Sequence, residues 1–108
     1  MEYMLLICHD SSFKGRTVKG ESDAWFEEMV RRGVRKHGDR LRPAAEAKTV
    51  RMRDGKVLVR DGPVAETKDE VAGYDVIECA DFNEAIEVAS KHPVAKFGMI
   101  EIRPVWQS

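Results

Sequence analysis

The sequence predicts an α+β domain of the ferredoxin-like class, in which two helices cover one face of an antiparallel sheet. Three observations support this prediction: the order of the hydrophobic patterns, an Asp54-Gly55 turn between alternating strands, and capping residues before each helix. The order is βαβ(β)βαβ, which becomes βαββαβ when one hairpin strand is set aside. A second subunit is the simplest cover for the other sheet face, so we expect a homodimer.

The first strand and helix follow from hydrophobic periodicity. Residues 3–8 are almost continuously apolar, which predicts a strand buried on both faces. Ser22 or Asp23 caps a helix that Gly38 ends. Its inward positions are Phe26, Met29, Val30, Gly33, Val34 and His37. Four cations lie outside these inward positions: Arg31, Arg32, Arg35 and Lys36. Cations are favourable near the solvated C-terminal end of a helix, which explains them better than a binding patch does.

Residues 49–60 form the clearest hairpin in the sequence. A two-residue Asp-Gly loop fits a type I′ turn, whose register sets Met52 opposite Val57 and Val50 opposite Val59. One face is then apolar. The other face is basic, and it either protects the strands by charge or forms a wall that binds an anion. Its cations are Arg51, Arg53, Lys56 and Arg60.

The second half repeats the strand–helix–strand pattern. Residues 73–79 form a strand, and Asp81 with Glu84 forms a capping box for the second helix, which Pro93 ends. Residues 99–103 alternate as a half-exposed strand does. The inward positions of the second helix are Phe82, Ala85, Ile86, Ala89 and His92.

The composition limits the class of protein. The chain has 108 residues, enough for a single domain over residues 1–108. A formal net charge of -1 gives no sign of direct nucleic-acid binding, and no apolar run approaches the about 20 residues that span a bilayer. Residues 1–7 lack the features of a signal peptide. We therefore expect a cytoplasmic protein without membrane contact, in which Cys8 and Cys79 are reduced, buried thiols on neighbouring strands.

Residues 61–70 connect the hairpin to the next strand and are longer than most connections. Asp61-Gly62-Pro63 bends the chain sharply, and two carboxylates, a hydroxyl and an ammonium follow within a few residues. Thr67 with Glu70 fits a capping box for one helical turn. A solvated crossover loop is the ordinary explanation of such a segment.

Residues 61–68 read DGPVAETK, which resembles the DGPFAETK segment of the YCII-related proteins, in particular their DGPF-type branch. The resemblance extends to residues 2–7, 49–57, 73–74, 81–89 and 101–105. It implies a dimeric α+β barrel, in which two sheets pack face to face. Val64 stands where the family pattern has Phe, so no aromatic role is carried over to that position.

The candidate site is built from this motif and its neighbours. Asp61 and Glu66 are the acid–base candidates, and His9 at the end of the first strand is a third, since imidazole transfers protons near neutral pH. A strand-end histidine is more often an ordinary surface residue. The histidines and cysteines lack metal-ligand spacing, so we expect no metal and no other cofactor. The substrate-binding candidates are Lys68, Thr67, Arg51, Arg60 and Pro63.

Three functions remain open. The first is a small-molecule enzyme that uses general acid–base chemistry on an anionic organic molecule, lyase- or isomerase-like as the resemblance implies. The second is a non-catalytic ligand-binding or regulatory domain, which the resemblance links to transcription initiation through sigma factors. The third is a structural dimerisation module. The enzyme needs Asp61 or Glu66 in a concave pocket, with a shifted pKa and a hydrogen-bonding partner.

Overall fold

The structure, a computed structural model, describes residues 1–10, 21–65 and 69–107. Within these ranges, two longer helices and six strands follow one another. In order they are β1 (Glu2–Asp10), α1 (Glu21–Arg31), β2 (Arg35–Arg40), β3 (Lys48–Arg53), β4 (Lys56–Asp61), β5 (Asp69–Glu78), α2 (Phe82–Ser90) and β6 (Met99–Pro104). Short 3-10 turns occur at Ala44–Glu46 and Pro93–Lys96.

Four of these strands form an antiparallel sheet in the order β2-β5-β1-β6. This order, with both helices present, confirms the α+β prediction and is that of a ferredoxin-like fold. The core lies between the helices and one face of the sheet. Its most deeply buried side chains are Tyr3, Leu5, Met29, Ile77 and Val88.

The first helix ends at Arg31, so the prediction that it continues to Gly38 was wrong. Gly33 has a φ of +72°, and its N–H donates to the Val30 carbonyl at 3.0 Å. The Val34 N–H donates to the Met29 carbonyl at 2.9 Å. These two bonds are those of a Schellman motif, in which glycine is favoured because L side chains rarely adopt positive φ.

Residues 35–40 therefore form strand β2, which is the second strand of the four-stranded sheet. The β3–β4 hairpin is an insertion that makes a two-stranded sheet of its own. The prediction that one hairpin strand belongs to the four-stranded sheet was wrong, because β2 occupies that place in the sheet. His37 consequently lies on β2, opposite Val76, and not at a helix end.

The internal structure of the hairpin is as predicted. Met52 pairs with Val57 and Val50 pairs with Val59. Asp54 and Gly55 have φ values of 52° and 73°, as a type I′ turn requires. The four residues of its apolar face are nevertheless between 55% and 62% exposed. The Cα radius of gyration is 15.8 Å, against about 13 Å for a compact domain of this size, which fits a hairpin that stands away from the core.

The predicted inward faces of the helices are right in part, since Met29, Ala85 and Ala89 are buried as predicted. In α1, Trp25 and Met29 are buried, whereas Phe26 and Val30 are 43% and 50% exposed. In α2, the buried residues are Ala85, Val88 and Ala89, while Phe82 and Ile86 are 43% and 51% exposed. Each helix carries more apolar residues than its buried face can hold. The spacing of the apolar residues alone therefore fits two different choices of the buried face.

The predicted cap of α2 is confirmed. Asp81 Oδ1 accepts a hydrogen bond from the Glu84 N–H at 2.9 Å. Glu84 Oε1 accepts from the Ala80 N–H, also at 2.9 Å, one residue earlier than a standard capping box.

Both cysteines are free thiols, and they lie at opposite ends of the β1–β5 pair. Cys79 is buried, and burial raises its pKa to about 11. Cys8 is only half-buried because it faces the sheet side opposite the helices, so the prediction of burial was wrong for this residue. In the described part of the chain, no helix has the length and apolar character needed to cross a bilayer.

Replacing Gly33 by Ala should lower the free energy of unfolding by about 1 kcal/mol, because an L side chain is strained in the left-handed region. Urea denaturation followed by circular dichroism measures this change. Gly33→Asn is the matched control and should be milder, since Asn tolerates that conformation. An alanine variant as stable as wild type would contradict the Schellman ending.

Candidate functional site

A cleft of about 630 Å³ opens on the helix side of the sheet, between α1, β2, β5 and the 3-10 turn after α2. Two glycines line it. A Cβ on Gly38 would collide with Asp75 Oδ1 and the Tyr74 carbonyl, and a Cβ on Gly73 would lie 3.0 Å from the Asp39 carbonyl oxygen. Glycine at these two positions lets β2 and β5 approach closely along one side of the cleft.

A second cleft of about 420 Å³ adjoins the first. His9, Arg40 and Ala72 line both clefts, so they form the boundary between them. His9 is exposed, and it follows Ile7 on the side of β1 that faces the helices. We refer to the two spaces together as the double cleft.

A nearly buried ion pair lies in the first cleft. Arg35 Nε donates to Asp75 Oδ1 at 2.8 Å, and Arg35 Nη2 donates to the Gly38 carbonyl at 3.0 Å. The guanidinium also lies over the Phe26 ring, 4.3 Å from its centroid. Burial raises the pKa of the Asp75 carboxyl, although the hydrogen bond from Arg35 opposes this. Arg35 is thus fixed in place, and one carboxylate oxygen of Asp75 is satisfied.

His92 is the other buried polar residue in the cleft, with 8% exposure. Its Nδ1 accepts a hydrogen bond from the Val94 N–H at 3.1 Å. The ring packs edge-on against Trp25, with centroids 4.7 Å apart. Burial lowers the pKa of His92 to about 4, so the ring is neutral at pH 7. Because Nδ1 accepts, the ring proton is on Nε2.

The start of the DGPVAETK segment is attached to the hairpin and does not line the double cleft. Asp61 is exposed, and its Oδ1 accepts from Lys48 Nζ at 2.6 Å across the strand pair. The Gly62 N–H donates to the Ala47 carbonyl at 2.7 Å, and Thr49 Oγ1 donates to the Gly62 carbonyl at 2.8 Å. Gly62 has a φ of +100°, which explains the glycine.

The remaining candidates from the sequence fall into two groups. Arg60 Nη2 donates to the Pro63 carbonyl at 2.8 Å, and Arg51 is exposed on the hairpin. These residues, like Asp61, stay apart from His9, which lines both clefts. Glu66, Thr67 and Lys68 lie outside the described residues. Within the described ranges, no three His, Cys, Asp or Glu side chains are grouped to hold a metal ion.

Sequence reasoning missed Arg35, Arg40, Asp75 and His92. Asp75 gave a usable signal, because it is a charged residue within the apolar strand 73–79, and a buried charge needs a partner. Its partner Arg35 was assigned to the surface of an overlong helix. His92 was assigned to the inward face of α2, whereas it precedes and caps the next 3-10 turn.

The fold and the cleft define a small ferredoxin-like α+β protein with room for a small ligand. The model of the YCII-related domain matches residues 1–108, so the chain belongs to the YCII-related family. An uncharacterised protein of Rhizobium meliloti (strain 1021) is 32% identical over 114 residues, which cover 97% of this chain and 92% of that protein. The predicted family is confirmed, and the DGPF-type branch stays a prediction.

His92 should make stability depend on pH. Its pKa is about 4 in the folded protein, and about 6.5 is the ordinary value in an unfolded chain. The unfolded chain therefore binds the proton first as pH falls. The contribution of the neutral His92 to stability is fully present above the unfolded pKa, is lost as pH falls towards the folded one, and amounts to about 3 kcal/mol in total.

Urea denaturation at pH 7 and pH 4.5 tests this expectation, with His92→Asn as the control. The Asn side chain keeps an acceptor near the Nδ1 position and does not titrate. The aspartates that line the same cleft are present in both proteins, so the difference isolates His92: Asp23, Asp39 and Asp75. The same pH dependence in both proteins would show that His92 is not held neutral.

Proposed function

We propose that the protein binds a small anionic organic molecule in the double cleft and acts on it by general acid–base chemistry, as a lyase or isomerase does. The observation behind this proposal is the position of His9 and Arg40 at the boundary of the two clefts. Arg40 presents a guanidinium that can bind a carboxylate at two atoms. His9 supplies an imidazole, the side chain best suited to proton transfer near neutral pH.

The charges that line the double cleft support Arg40 as the anchor of the anion. The second cleft contains two cations, Arg40 and Arg42, against one anion, Glu70. Arg42 is paired with Glu46 at 3.0 Å, so its charge is partly compensated. In the first cleft, Arg35 is already bound to Asp75. Arg40 is therefore the cation best placed to hold a carboxylate.

The DGPVAETK segment at residues 61–68 has a smaller role in this proposal than the double cleft has. Glu66 stays a second acid–base candidate, and Thr67 and Lys68 stay substrate-binding candidates. The contacts of Asp61 and Arg60 fix the end of the hairpin, which supports a structural role for the first half of the motif.

One observation favours a non-catalytic ligand-binding or regulatory domain. A catalytic base is normally oriented by a third group. The described part of the chain gives the exposed His9 ring no hydrogen-bond partner. Ligand binding without turnover therefore remains the second candidate function, and its link to transcription initiation through sigma factors stays a prediction.

Substitutions at Arg40 and His9 should separate binding from turnover. Arg40→Met should weaken the binding of pyruvate, malonate and benzoate about tenfold, since a charge-assisted hydrogen bond is lost. His9→Asn should bind like wild type and exchange the pyruvate methyl protons with D₂O about a hundredfold more slowly. Titrations followed by ¹H–¹⁵N NMR measure binding, and proton NMR measures exchange.

Arg103→Met is the control, because Arg103 is an exposed arginine of β6 that lines neither cleft. Unchanged binding in Arg40→Met would contradict the proposed anion site. Normal binding without measurable exchange in wild type would favour the non-catalytic candidate.

We also propose that the protein acts as a homodimer in the cytoplasm. The sheet face opposite the helices presents Met4 and Leu6 on the inner strand β1 and Met99 on the edge strand β6, where Met99 is 39% exposed. Glu101 and Arg103 give this face both signs of charge, which suits contact with a second copy of itself. The exposed hairpin adds apolar surface, and an isolated two-stranded hairpin is marginally stable in water.

Light scattering at micromolar concentration should find twice the chain mass of 12.3 kDa. Met99→Glu should shift the population to the monomer, because it places a charge on the open sheet face. Val30→Glu is the matched control, since Val30 is 50% exposed on α1, on the other side of the sheet. A monomeric wild type would exclude the dimer.

A further inference from the structure

We infer that the inner end of the first cleft binds an uncharged group that both donates and accepts a hydrogen bond, with His92 donating and Asp75 accepting. This inference rests on the proposed binding function of the cleft and concerns the part of the ligand that enters most deeply. It defines the ligand class as a small molecule with an anionic group for Arg40, an apolar body, and a carboxamide or an equivalent uncharged group at the other end.

The first observation is the free donor of His92. Its Nδ1 is occupied by the Val94 N–H, so the proton is on Nε2, and no described residue accepts it. Among the described residues, every side-chain N or O that is shut off from solvent has a hydrogen-bond partner. Nε2 has none, so it is open to solvent, and the cleft that His92 lines is the space we assign to it. A buried donor that faces such a space is suited to a ligand.

The second observation is the free acceptor of Asp75. Arg35 occupies Oδ1, and no described residue donates to Oδ2. By the same reasoning, Oδ2 meets the cleft, although Asp75 is only 8% exposed. The cleft therefore offers one donor and one acceptor from residues that are otherwise buried.

Large apolar side chains line the same cleft. Trp25 is held by a hydrogen bond from its Nε1 to the Val88 carbonyl at 3.0 Å, and the Phe26 ring packs under Arg35. The remaining apolar lining includes Ile7, Val94 and Phe97. Such walls suit a flat apolar body.

The charges exclude a carboxylate from the inner end. The first cleft contains two cations, Arg35 and Arg40, against three anions, Asp23, Asp39 and Asp75. A carboxylate beside Asp75 Oδ2 would place two like charges together and leave that oxygen without a donor. A carboxamide supplies the donor to Asp75 and the acceptor to His92.

Benzamide and benzoate form a matched pair of probes, because they have the same shape and differ in charge and in the donor. Trp106 is 98% exposed, so Trp106→Phe leaves Trp25 as the reporter of the cleft in fluorescence titrations. In this background benzamide should bind, and His92→Asn should weaken its binding about tenfold. His92→Gln, whose amide N–H₂ takes the place of Nε2–H, should retain most of the binding. Benzoate binding should depend on Arg40 and not on His92.

The inference is overturned if benzamide does not bind, or if it binds wild type and His92→Asn equally well. The proposed function survives that result as long as carboxylate binding depends on Arg40. If His92→Asn does not fold, the Nε2–H signal of wild-type His92 in ¹H–¹⁵N spectra provides the test. Benzamide must shift that signal more than benzoate does, and the reverse order overturns the inference.

Discussion

The close approach of β2 to β5 at Gly38 is the constraint on which the rest of the structure depends. Any Cβ at this position would collide with Asp75 and the Tyr74 carbonyl, so the pairing of these strands requires glycine. The pairing places Arg35 beside Asp75 and Arg40 opposite Gly73. One backbone contact therefore fixes the edge strand of the sheet, the buried ion pair and the shape of the cleft.

The Arg35–Asp75 pair fits the proposed binding function better than a role in stability. Desolvation of two charges offsets much of their attraction, so a nearly buried ion pair is weak evidence for stabilisation. Here the pair orients a carboxylate whose second oxygen meets the cleft, and the cation is held by Phe26 and a backbone carbonyl. Together with the neutral His92, the pair adds polar atoms from nearly buried residues to the lining of the cleft.

Short sequence patterns predicted the parts of the fold that depend on residues close together in the sequence. The register of the hairpin followed from Asp54-Gly55 and strand alternation, and the α2 cap followed from Asp81 and Glu84. The end of α1 was ambiguous, because both Gly33 and Gly38 fit the position after a helix and Val34 continues the apolar spacing. Only the pairing with β5 shows that residues 35–40 form a strand.

The site was harder to predict than the fold because it depends on contacts between distant segments of the chain. The cleft unites β1, β2, β5 and the turn after α2, which lie far apart in the chain. His9 was a candidate because a strand end next to a loop is a local feature. Asp75 and His92 became candidates only when the fold showed which of their atoms are unpaired and face the cleft. The motif at residues 61–68 identified the family, and its described part lies on the hairpin.

The most direct test of this account is a crystal structure of the protein soaked in a mixture of small carboxylates and benzamide. The account predicts ligand density in the double cleft, with a carboxylate beside Arg40 and the carboxamide between His92 and Asp75. Density beside Asp61 at the end of the hairpin, with both clefts unoccupied, would contradict it and return the functional site to the motif.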